Sequence, residues 1–205
     1  MKQLAEFLCI AFLVAPATGN AQSVLAFDDL PTPQVTPGLN YATNIPNGYG
    51  SLQWNNFGVL DGSIRPANEG YHAGMVSPNN VALNVGGNPA SISVAGGSFD
   101  LNSAYLTLGL NLDTALIIRV QGFVATTVLY DNNYTVYRTA PTLINFDYVG
   151  VDRVTFISSP QQQFAMDNLA VTIPEPSTIG LLILCAVLGG VNSSIKRRNK
   201  ETRVV

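Results

Sequence analysis

The sequence predicts an all-β protein, an antiparallel β-sandwich of the jelly-roll kind with about eight to ten strands. Three observations predict it. Short runs rich in Val, Ile, Thr, Tyr and Phe recur about every ten residues between clusters of Gly, Asn, Asp and Pro. No stretch between the two chain ends keeps a helical period. No internal repeat or linker divides the interior, whose size of about 150 residues is that of one domain.

In chain order, "MKQLAEFLCIAFLVAPATGNAQS" comes first. Lys2 precedes an apolar stretch from Phe7 to Ala15, Pro16 breaks it, and Gly19 and Ala21 follow at signal-peptidase spacing. Residues 1–21 are therefore expected to be a secretory signal peptide cut after Ala21, although Glu6 is unusual in its charged region. The alternative, a buried N-terminal helix, would need Thr18, Gly19 and Asn20 to extend a helix beyond a proline.

Residues 22–173 are expected to form the sandwich. Its strand candidates are "SVLAFDDL", "GSLQWNNFGVL", "NVALNV", "ASISVAG", "FDLNSAYLTLGL", "TALIIRVQGF", "ATTVLYD", "YTVYRT", "TLINFDYVG", "RVTFISS" and "QFAMDNLAVTI". "QGFVATTVLY" and "DNNYTV" read as hairpin edges, and "SSPQQQ" as a turn. Proline and glycine interrupt any period in Pro31–Gly50 and Asp61–Asn80, which read as long surface loops.

The end of the chain, residues 174–205, has three parts. Pro174 and Pro176 fix their own φ and hold Ile173 and Glu175 extended, so no helix can run back through them. Ile179–Val191 is apolar and uncharged, and as a helix it would reach only about 20 Å, short of a hydrocarbon core of about 30 Å. Drawing in its flanks gives a marginal transmembrane helix over about residues 178–195. Lys196, Arg197, Arg198, Lys200 and Arg203 follow, and the positive-inside bias keeps this tail, 196–205, cytoplasmic. Everything before Pro174 is then outside. Pro174-Glu175-Pro176-Ser177-Thr178, the apolar run and the basic tail together resemble the PEP-CTERM sorting signal of Gram-negative bacteria. The resemblance implies export across the inner membrane, a membrane-anchored precursor, cleavage by a membrane-embedded exosortase, and release or transfer to the cell surface. A plain C-terminal anchor is the alternative, though it requires neither the prolines nor so short a span.

Composition excludes several chemistries for the interior. Cys9 and Cys185 both fall in the end segments, which leaves no thiol for disulfides, thiolate zinc or nucleophilic catalysis. Arg65, Arg119, Arg138 and Arg153 face about ten carboxylates, without a lysine, so nucleic acid is not an expected partner. Polysaccharide, divalent cations or a polar matrix suit that surface.

"AFDDL", "IPNGYGSLQWNNFGVL", "GGSFDLNSAYLTLGL", "INFDYVGVDRVTF" and "FAMDNLAVT" further resemble secreted galactose-binding-like and carbohydrate-binding jelly rolls. That resemblance implies a fold in which the first and last strands pair, bringing Asp28 and Asp29 near Asp167. Those three carboxylates are candidate ligands of a structural calcium ion, which takes six to eight oxygens. Turn capping by the same aspartates is the other reading. Tyr41, Tyr49, Trp54 and Tyr71 lie in or beside the long loops, where rings could stack on sugar faces. Trp54, flanked by Leu52 and Phe57, reads first as core.

Catalysis finds little support. His72 is the sole histidine, and "EGYHAGMVSP" carries no nucleophile elbow. Asp61 and Glu69 flank one loop and are the carboxylate pair a glycan-active hydrolase would use. The expected function is therefore non-catalytic: a sorted surface or exopolysaccharide-associated protein that binds glycan. A hydrolase and a purely structural matrix protein are the alternatives.

Overall fold

Where one sheet face is buried and the other wet, apolar and polar residues alternate. "ALIIRVQGF" does so, with Leu116, Ile118 and Val120 buried and Ile117 and Arg119 exposed. The computed structural model describes residues 22–33, 42–110 and 114–174. The signal peptide, Tyr41 and the sorting segment beyond Pro174 lie outside the described residues. No helix among the described residues is long and apolar enough to cross a membrane.

The strands in chain order are β1 (Gln22–Leu25), β2 (Thr43–Asn44), β3 (Gln53–Asn55), β4 (Phe57–Asp61), β5 (Asn80–Asn84) and β6 (Ala90–Ser93). They continue with β7 (Phe99–Leu108), β8 (Ala115–Val124), β9 (Thr127–Tyr137), β10 (Thr142–Val151), β11 (Arg153–Ser159) and β12 (Phe164–Thr172). All pairings are antiparallel. One sheet runs β10-β7-β12-β5-β4-β2, with β1 also on β12, and the other runs β3-β6-β11-β8-β9. From β5 onward the chain repeatedly crosses from sheet to sheet. The two inner faces share one core, in which Phe57 and Phe164 of the first sheet meet Phe156 of the second edge-on or tilted.

Two departures from the expected strands have local causes. "GSLQWNNFGVL" is two strands, because Asn56 takes φ 58° and turns the chain from one sheet into the other. Its side-chain amide donates to the carbonyls of Val85, Asn88 and Pro89, at 3.1 to 3.3 Å. "ATTVLYD" and "YTVYRT" fuse into β9, so "DNN" is strand rather than turn. The β8–β9 hairpin itself forms as expected and turns at Ala125, φ 52°.

The segment between Asp61 and Asn80 is not an open loop. It contains a 3-10 turn (Gly62–Ile64) and a single helical turn, α1 (Gly70–Ala73), and it covers the outer face of the first sheet. Leu60, Val81, Leu83 and Ala165 point outward from that sheet and are buried by Tyr71 and Met75. Covered on both faces, β5 loses the alternation and is buried at every position. Gly70 is required here, since a Cβ would fall onto the Leu108 carbonyl.

Candidate functional site

The first and last strands pair. Gln22 lies opposite Thr172, and Leu25 opposite Leu169. β7 takes one edge of β12, while β5 and β1 share the other, β5 at Ala165 and Met166, β1 from Leu169 onward. Between them the register slips at Asp167–Asn168, where Asn168 has φ 48°. Asp167 is thereby turned into the protein at 0% exposure.

Its carboxylate is fully used by protein donors. Oδ2 accepts from the backbone N–H groups of Val76 and Ser77 at 2.7 and 2.8 Å. Oδ1 accepts from Ser77 Oγ and from Asn168 N–H at 2.9 and 2.7 Å. Burial pushes the carboxyl above the ordinary aspartate range, and the hydrogen bonds pull in the opposite direction. Asp28 and Asp29 are exposed and separately engaged: Asp28 Oδ1 accepts from Asn80 N–H at 3.0 Å, Asp29 Oδ1 from Tyr49 Oη at 2.8 Å.

This donor set does not fit calcium. N–H and O–H dipoles aimed at both oxygens of Asp167 present positive ends where the cation would sit. Among the described residues, no three His, Cys, Asp or Glu side chains gather as a metal group. Turn capping is what the aspartates do. The partners Ser77 and Asn80 were not singled out from the sequence; "SPNN" between an acidic strand end and a β-run is the signal that could have found them.

The aromatic candidates separate. Trp54 is 7% exposed, packs edge-on against Phe27 and Phe57, and donates Nε1–H to the Tyr49 carbonyl at 2.9 Å. It belongs to the core. Tyr71 is 2% exposed, with its hydroxyl donating to Gln163 Oε1 at 2.6 Å and the Arg65 guanidinium 5.6 Å from its ring centre. It has no free face for a sugar, because the cover over the outer sheet face is built around it. Of the candidates among the described residues, Tyr49 alone is half-exposed. Its hydroxyl donates to Asp29 and accepts from Phe27 N–H at 3.2 Å. Burial, then the Asp29 contact, raises its phenol well above the ordinary tyrosine value, so it stays protonated. With Asp28, Asp29, Gly48, Gly50 and Val24–Ala26 it lines an open hollow of about 550 Å³.

The hydrolase pair is also occupied. Asp61 Oδ1 accepts from Ser63 N–H and Ser63 Oγ, capping the 3-10 turn. Glu69 forms an ion pair with Arg65 at 2.8 Å across the turn that joins the 3-10 turn to α1. His72 Nδ1 lies 3.3 Å from the Gly62 carbonyl.

No protein family model matches the chain, and no curated protein matches it. Among solved structures, a DUF4465 family protein from Bacteroides caccae superposes at TM-score 0.55 and 10% identity. The overlap covers 76% of this chain and 100% of that one. The two share a fold. The CBM22-1–GH10 modules of endo-1,4-β-D-xylanase 10B from Clostridium thermocellum, complexed with xylohexaose, match at TM-score 0.33 and 8% identity. That overlap spans 66% of this chain and 28% of the xylanase chain. TmCBM61 in complex with β-1,4-galactotriose matches at 0.25 and 10%, covering 67% and 95%. At such scores the overlap is loose, and the sugars bound there say nothing of this chain.

Proposed function

We propose that the chain is an exported, non-catalytic protein of the Gram-negative cell surface or exopolysaccharide matrix, a jelly roll delivered by its Pro-Glu-Pro tail. The observation that carries this reading is the pairing of Gln22 with Thr172. Gln22 is the first residue after the expected signal-peptide cut, and Thr172 stands two residues before Pro174. Both membrane signals therefore leave the domain side by side, from the same end of β12. Pro174 is exposed and holds Ile173 extended, which leaves that end of the domain open to an exosortase.

The test is processing in a host with a matching exosortase. In the wild type, mass spectrometry should find both end segments removed. In Pro174→Ala combined with Pro176→Ala, the tail should be retained and the protein should stay in the membrane fraction. Normal trimming of the double variant would defeat the proposal.

A hydrolase is disfavoured because Asp61 and Glu69 are held by internal partners. Glycan binding is supported by the hollow at Tyr49, whose size lies within the usual range of about 300 to 1,000 Å³ for small-ligand sites. Asp28 and Asp29 would accept hydroxyl protons beside the ring. Two exposed carboxylates also repel acidic sugars, so the glycan class is neutral. On a panel of neutral and uronic β-linked oligosaccharides, binding should be confined to the neutral members. It should fall at least tenfold in Asp29→Ala. Binding that favours uronic sugars, or that ignores the substitution, removes this hollow as the site.

A further inference from the structure

In an extended strand the side chains of residues i, i+2 and i+4 share one face. On β9 that alternation turns Tyr130, Asn132, Tyr134 and Val136 toward the core, and Asp131, Asn133 and Thr135 onto the wet outer face of the second sheet. The inward set is anchored. Tyr130 stacks on Tyr148 with ring centres 4.3 Å apart, Asn132 donates to the Tyr148 hydroxyl, and Tyr134 meets Phe146 edge-on. The pairing with β8 slips at Leu129 and is then regular from Tyr130 to Tyr137, so the outward residues hold a settled register.

Those outward residues are not equivalent. Asp131 is bound by the Arg119 guanidinium and by Gln121 Nε2 of β8. Among the described residues the side-chain amide of Asn133 has no hydrogen-bond partner, and both Asn133 and Thr135 are exposed. Elsewhere the domain uses its asparagine amides: Asn56, Asn80 and Asn84 each donate to backbone carbonyls. Sequence sets Asn133 apart as well. Asn133-Tyr134-Thr135 is the only Asn-X-Ser or Asn-X-Thr triplet in residues 22–173, although asparagine is frequent there. With X other than proline, that triplet is the acceptor pattern of N-linked glycosylation.

We propose that Asn133 is an N-glycosylation acceptor, modified on the exported side of the membrane before β9 pairs. The proposal rests on the export reading and is independent of glycan binding at Tyr49 and of tail processing. The donor is a lipid-pyrophosphate-linked oligosaccharide. Asn133 Nδ2 forms a bond to the anomeric carbon, and the bond from that carbon to the pyrophosphate oxygen breaks. Lipid pyrophosphate leaves, and one amide proton passes to a base. An amide nitrogen is a poor nucleophile because its lone pair is delocalised into the carbonyl, so the step requires a transferase. The folded domain must then house the product. It does so without loss, since the Asn133 side chain gives up no native hydrogen bond and stands on an exposed face, while the backbone ladder to β8 is untouched.

The test uses the full chain made in a Gram-negative host that carries a periplasm-facing oligosaccharyltransferase and its lipid-linked oligosaccharide. Trypsin cuts after Arg119 and Arg138 and isolates residues 120–138. By mass spectrometry this peptide should carry one oligosaccharide. Asn133→Gln and Thr135→Ala should each abolish the increment, and Thr135→Ser should keep it. An unmodified peptide in a chain that has lost residues 1–21 overturns the proposal and leaves export standing. An increment that survives Asn133→Gln also overturns it. A chain that keeps residues 1–21 refutes export instead, and the acceptor is then decided on the purified full chain in detergent with transferase and donor added. No transfer there overturns the assignment; transfer confined to Asn133 upholds it.

Discussion

Asp167 concentrates the residue-scale chemistry. This buried carboxyl persists because four donors converge on it, two of them backbone N–H groups. Asp167→Asn keeps the shape but puts a donor where an acceptor is needed, and should cost about 1 to 3 kcal/mol in a urea titration at neutral pH. The pH dependence has a definite sign. Burial raises the native carboxyl above its unfolded value, so between those two values the native state binds more protons than the unfolded chain. Stability from this group is therefore highest in acid and declines as pH rises through the native titration. The gap between wild type and Asp167→Asn should narrow over that interval; a gap that widens would mean the four donors outweigh desolvation. That Asp167 would approach the first strand was legible from the sequence through the resemblance. That it would be sealed off from any ion was not, because the bulge that turns it inward depends on where β5 ends and β1 begins on β12. Trp54 was legible as core from Leu52 and Phe57 beside it. Tyr71 was not, since its Gly-rich surroundings read as exposed loop, and its burial comes from a sheet face distant in sequence.

At the scale of elements, the sheet-to-sheet crossing at Asn56 decides whether β3 and β4 can occupy different layers. Two properties of one side chain are used: tolerance of left-handed φ and an amide that gathers three carbonyls. Substitutions separate them. Asn56→Gly keeps the φ and loses the hydrogen bonds, while Asn56→Ala loses both. Denaturant midpoints should place glycine between wild type and alanine, with alanine about 2 kcal/mol or more below wild type. Equal loss in both variants would assign the whole effect to the amide. Alternating strands such as β8 were readable because each has one wet face. β4, β5 and the β12 centre were readable as strands but not as doubly covered ones, and β2, a mere two residues, left no pattern. β9 was divided in expectation because Asp-Asn-Asn is turn chemistry in isolation. Within the protein, Asn132 instead donates to the Tyr148 hydroxyl at 2.9 Å, and the strand runs through.

For the whole molecule, the main energetic expectation concerns the aspartates Asp28, Asp29 and Asp167, which already accept hydrogen bonds from protein donors. A native-state ligand must raise the melting temperature, so removing one must lower it. With the aspartates already satisfied by protein donors, chelator should leave the thermal transition of the domain where it was. A drop of several degrees that is reversed by added calcium would restore the metal reading. Stability rests instead on the aromatic core between the sheets, where Phe27, Trp54, Phe57, Phe156 and Phe164 touch in sequence at ring separations of 5.4 to 6.0 Å.

The juxtaposition of Gln22 and Thr172 also makes the order of strands along the backbone dispensable. A short peptide bridge could splice these neighbouring positions, and the polypeptide could be reopened at the exposed bend of Ala125–Thr126. Such a rewired domain would present its new ends beside β9, far along the sequence from Gln22 and Thr172, with every ladder of the parent conserved.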